Sequence, residues 1–77
     1  LPPTFFHIGG FRFFSKEEIL PHIHVNHPDG EAKFSLSPTV ELVRNIGLSL
    51  PRSKEAERLL ETRHQEIIDA WSNHFGG

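Results

Sequence analysis

Residues 22–36, HIHVNHPDGEAKFSL, read as two alternating segments joined by a turn. In the first, Ile23 and Val25 alternate with His22, His24 and Asn26; in the second, Ala32, Phe34 and Leu36 alternate with Glu31, Lys33 and Ser35. A period of two puts successive side chains on opposite faces of a strand. Pro28-Asp29-Gly30 between them is a turn signal in which Gly30 can take the left-handed conformation. The stretch therefore predicts an antiparallel hairpin of strands at 22–26 and 31–36. Its apolar side faces a core, and its other side carries two imidazoles and a lysine.

Working outward, TFFHIGGFRFF (residues 4–14) has two aromatic runs on either side of Gly9-Gly10, a pair that accepts the positive φ angles of a tight hairpin turn. Thr4 to Ile8 and Phe11 to Phe14 are the first two predicted strands. SKEEILP (residues 15–21) reads as a polar connection closed by Pro21. On the other side, Ser37-Pro38 has the form of an N-cap followed by a first-turn proline, so a short helix is predicted over about 38–46, ended by Gly47. Ser53 is the predicted cap of a second helix over about 53–75, with Ala56, Leu59, Leu60, Ile67, Trp71 and Phe75 near one stripe. The expected fold is α+β: a small antiparallel β-meander of three to four strands followed by two α-helices packed on one face.

The chain's 77 residues suit a single domain with a thin stability margin. It has no Cys, which removes disulfides and thiolate zinc sites. A formal charge of −2 gives no overall field toward nucleic acid or anionic lipid, so any such contact has to be a local basic patch. No apolar run has membrane-spanning length, and a soluble, cytoplasmic protein is expected.

With apolar sets inward, one antiparallel sheet displays Arg12, His22, His24, Lys33 and Ser35 together on its open face. Two imidazoles beside fixed cations suit phosphoryl transfer without a metal or other cofactor. A neutral His takes the proton of a ribose 2′-hydroxyl and a protonated one gives a proton to the leaving oxygen, while cations stabilise charge on the phosphate. His22 and His24 are thus the candidate catalytic pair, and Arg12, Lys33 and Ser35 the candidate phosphate ligands. Two other readings compete. Polar residues alternate on any half-exposed strand, and His22, His24 and His27 are a candidate zinc set, although His27 lies past the strand end and Asp29 already has a turn role.

The aromatic cluster Phe5, Phe6, Phe11, Phe13 and Phe14 exceeds what one sheet face can bury. With Phe11 and Phe13 in the core, Phe6 and Phe14 are expected exposed, as a stacking platform for RNA bases or as a dimer contact or sheet edge. Trp71 is expected in the core, His64 and His74 on the surface, and His7 on the open face.

GGFRFF (9–14), PHIHV (21–25), GEAKFSL (30–36), NIG (45–47) and AWSNHF (70–75) follow one another in this order. With them the chain resembles, from about Pro3 to Phe75, the bacterial family known as domain of unknown function 4160. The resemblance implies that Arg12, His22, His24 and Lys33 match residues typical of that family and that His27 does not. It further implies a small cytoplasmic α+β protein, often encoded beside a member of the family called domain of unknown function 2442, and hence one half of a toxin–antitoxin-type pair. It implies no activity. The function expected is a toxin–antitoxin-type protein whose His/Arg/Lys face binds RNA or another phosphorylated ligand and cleaves it without a metal. The alternatives are a non-catalytic module that binds a partner protein, and a metal-binding regulator; a homodimer is compatible with each.

Overall fold

The computed structural model describes residues 4–15 and 22–75. Five strands come first: β1 (Thr4–Ile8), β2 (Phe11–Phe14), β3 (His22–His27), β4 (Gly30–Ser35) and β5 (Glu41–Ile46); α1 (Leu50–Thr62) and α2 (His64–Phe75) follow. Each strand pairs antiparallel with the next, so the sheet order is the chain order. The α+β class and the order of an antiparallel meander followed by two helices are as the sequence predicts, but the bounds of the helices are not. The predicted connection at 16–21 lies outside the described residues.

One face of the sheet and the two helices enclose the core. Phe11, Phe13, Ile23, Val25, Ala32, Phe34 and Leu36 come from the sheet side, and Ala56, Leu60 and Ile67 from the helices, all nearly inaccessible to water. Gly9 and Gly10 have φ of 58° and 85°, the positive values the tight β1–β2 turn needs. Gly30 is different: it is not among the residues with positive φ. It is glycine because the backbone of Ile46 and Gly47 passes against it, closer than a Cβ would allow.

Two predicted elements need correction. The segment predicted as a helix over about 38–46 is an extended link followed by β5, which pairs with the outer side of β4. Ser37-Pro38 is a cis peptide and starts no helix. The apolar residues of that segment, Val40, Leu42 and Val43, are in part β-branched, and pairing to β4 satisfies more backbone groups than a short exposed helix would. The sheet consequently has one more strand than the three to four expected.

The helix predicted over about 53–75 is two helices and starts earlier. Ser49, not Ser53, caps α1: its Oγ accepts from the Arg52 N–H at 3.3 Å, and Pro51 sits in the first turn. Ser53 instead lies buried within the helix. The break falls at Arg63, and just before it the Thr62 hydroxyl donates to the Arg58 carbonyl at 2.9 Å, a back-bond that bends helices. Ser49→Ala is expected to lower stability by about 1 kcal/mol, read as a lower urea midpoint with an unchanged slope.

Candidate functional site

The register of the sheet determines which side chains share its open face. Phe14 lies opposite His24, His24 opposite Lys33, and Lys33 opposite Arg44. One residue from each of β2, β3, β4 and β5 therefore stands in a single row across the sheet. Adjacent strands are about 4.8 Å apart, so an imidazole, an ammonium and a guanidinium follow one another at close intervals. A parallel row holds His7, Arg12, Asn26, Glu31 and Ile46. Between them the rows shape a groove of about 330 Å³ whose lining includes Phe14, His24, Asn26, Glu31, Lys33 and Arg44.

Phe14 is the floor of this site. It is only 7% exposed, although it belongs to the open face. The Arg12 guanidinium lies 4.3 Å from its ring centroid, and the His24 imidazole stacks on it at 5.3 Å and 23°. A phenyl ring beneath both groups restricts their rotamers and attracts the guanidinium of Arg12. The expectation that Phe14 is exposed is thus corrected: the polar side chains that define the face cover it. Phe6 is corrected in the same way, being partly buried and stacked on Phe13 at 4.4 Å, with Arg63 above its ring.

Of the residues singled out in the sequence, Arg12, His22, His24, Lys33 and Ser35 all stand on this one face, half-exposed. Only His24 and Lys33 line the groove itself. His22 and Ser35 lie opposite each other, one pair further along the hairpin on this face. The Ser35 hydroxyl donates to the Ser37 carbonyl at 3.1 Å, which leaves its oxygen available to other groups as an acceptor. Ser15, at the end of β2, donates to the His22 carbonyl at 3.1 Å and ties the two strands at this point.

His27 belongs elsewhere. It follows Ile23 and Val25 onto the helix-covered side, packs against Phe11 at 4.8 Å, and accepts the Asp29 N–H at Nδ1. The zinc set His22, His24 and His27 is therefore divided between the two faces of the sheet. His64, expected on the surface, is half-buried, and its Nε2 bonds to the Leu36 carbonyl. The side chains of Trp71 and His74 lie outside those described.

Sequence reading missed Asn26 and Arg44 as site residues, and placed Phe14 as an exposed platform rather than a covered floor. For Arg44 the signal was present but assigned to a helix; once 41–46 is a strand, alternation puts it beside Lys33. For Phe14 the alternation with Phe13 already gave the face, and only the covering by Arg12 and His24 was hidden.

A five-stranded antiparallel meander with helices on one face and an aromatic-floored groove on the other defines a small α+β fold; neither described helix is long and apolar enough to cross a bilayer. The chain belongs to the family described as Domain of unknown function (DUF4160), whose model matches residues 10–72. That match includes β2 to β5 and therefore the whole cross-strand row. No curated protein and no solved structure matches the chain significantly.

Proposed function

We propose that the open sheet face binds the phosphate groups of a single-stranded RNA and cleaves it by metal-independent acid/base chemistry, the protein acting as one component of a toxin–antitoxin-type pair. The observation that carries this reading is the cross-strand row Phe14, His24, Lys33, Arg44, with Arg12 on the same aromatic ring. It places three fixed cations, Arg12, Lys33 and Arg44, on one face, beside Glu31 and Glu41, in a chain whose formal charge is −2. That is the local patch an acidic protein requires for a polyanion.

In this reading Lys33, Arg44 and Arg12 hold the phosphate oxygens, Arg by a planar fork and Lys as a point charge. His22 and His24 are the proton-transfer pair. One imidazole removes the proton of the 2′-hydroxyl, the 2′ oxygen attacks the adjacent phosphorus, and the other imidazole protonates the departing 5′ oxygen. The cations stabilise the charge that builds on the phosphate during that exchange.

A fluorescently labelled single-stranded RNA tests the binding step. Lys33→Ala with Arg44→Ala is expected to weaken binding at low salt and to reduce the slope of log K against log [salt] by about 1.4, roughly 0.7 for each lost phosphate contact. An unchanged affinity and slope in the double variant would remove the basis of this reading. It would favour the non-catalytic alternative, in which the face or its exposed apolar border binds a partner protein.

A further inference from the structure

The outer edge of β5 is a feature the groove does not account for. β5 pairs with β4 on one side, and among the described residues no strand pairs with it on the other. All six of its residues are exposed. Of the large apolar side chains exposed among the described residues, Leu42, Val43 and Ile46 belong to this strand, and Leu50 is the first residue of α1. An edge of this kind presents unpaired N–H and C=O groups to another strand.

We propose that β5 pairs antiparallel with β5 of a second copy of this chain, about a two-fold axis between Leu42 and Val43, so that two sheets join into one. The charges of the strand select this register. It sets Glu41 opposite Arg44 of the second copy and Arg44 opposite Glu41 of the second copy, and it sets Leu42 opposite Val43 twice. Glu41 pairs with Ser35 and Arg44 with Lys33 within the chain, so both members of the charged pair stand on the open face. Opposite charges and apolar pairs directly across an antiparallel ladder stabilise it.

Neighbouring registers lose this match. Sliding the partner by one residue either way puts Arg44 opposite Leu42 or Val40, and Glu41 opposite Asn45 or Val43. A slide by two residues puts Arg44 opposite Val43 or Thr39. The closed two-fold arrangement is self-complementary and uses up the edge, which an open stacking of sheets would not. The guanidinium of Arg44 has enough donors to serve a carboxylate across the axis and an anion on the open face together.

Two short strands bury less than a standard interface, so association in the micromolar range is expected. Sedimentation equilibrium over concentrations reaching the high micromolar tests it. The wild-type chain is expected to approach twice its 8.8 kDa mass. Glu41→Arg and Arg44→Glu each create like-charge pairs across the axis and are expected to weaken the dimer about tenfold or more, with far-UV circular dichroism unchanged. Combining E41R with R44E restores opposite charges and is expected to restore the dimer. A wild-type chain that stays at its monomer mass overturns the proposal, and so does a dimer insensitive to the single changes. In the monomeric outcome the irregularity at Val43, where the β4–β5 register shifts, is a bulge that protects the edge. A folded double variant that stays monomeric while both single variants do so overturns the register.

Discussion

Gly30→Ala is expected to destabilise the protein by about 3 kcal/mol or more, at or beyond the upper end of what overpacking usually costs. A Cβ at this position would stand 2.3 Å from the Ile46 carbonyl oxygen, 2.7 Å from the Gly47 carbonyl carbon and 2.9 Å from its Cα. All three are backbone atoms, so no side chain can swing aside; the end of β5 has to move off β4. Gly47 reinforces the constraint, because its φ of 90° turns the chain there and a Cβ on it would meet the Asp29 carbonyl oxygen at 2.9 Å. For a domain of this size, total stability on the order of 4–12 kcal/mol is typical, so the loss is a large share of it. Gly9→Ala is the control: its nearest neighbour is 4.0 Å away, and only its φ of 58° opposes a side chain, a strain of about 1–2 kcal/mol. Urea unfolding of the two variants should separate them clearly, and a Gly30→Ala protein as stable as Gly9→Ala would mean that the two backbones do not approach as described. The loss also reaches the site, since Ile46 and Arg44 are carried by the same end of β5.

The four first strands were legible because two signals agreed at each: alternation gave the faces, and Gly9-Gly10 and Pro28-Asp29 gave the turns between paired strands. Face assignment survived into the structure for Arg12, His22, His24, Lys33 and Ser35, because a strand with a wholly buried face cannot slip by one residue without exposing Ile23, Val25 and Phe34. β5 was not legible. Its residues are exposed on both sides and so carry no periodicity imposed by a core, while Ser37-Pro38 imitates a helix start. A helix start of the same chemistry does occur, at Ser49 to Pro51, and the local signal alone does not rank the two. Misplacing β5 is what hid Arg44, so the error in the fold and the gap in the site have one cause. The division of the last helix at Arg63 was hidden for a different reason: the apolar stripe continues from Leu60 to Ile67 across the break.

If the open face cleaves RNA as proposed, replacing either His22 or His24 by Ala should lower the rate about 10²–10⁴-fold, the contribution typical of one positioned proton-transfer group. The two variants should nonetheless differ. His24 stacks on Phe14 and lines the groove, so its loss should also raise KM. His22 lies outside the groove lining, opposite Ser35, and its loss should fall mainly on kcat. The wild type should show a bell-shaped dependence of kcat/KM on pH, one arm for the base and one for the acid, and each variant should lose one arm. An RNA with a single 2′-deoxy substitution at the cut position should bind normally and resist cleavage, because the attacking oxygen is gone. Comparable cleavage by both variants, or of the deoxy substrate, would sink the proton-transfer pair while leaving the cationic row to be judged by its salt dependence. Binding that survives in both variants without any wild-type turnover would identify the face as a reader of phosphate rather than a nuclease, and would assign the two imidazoles to contact and charge alone.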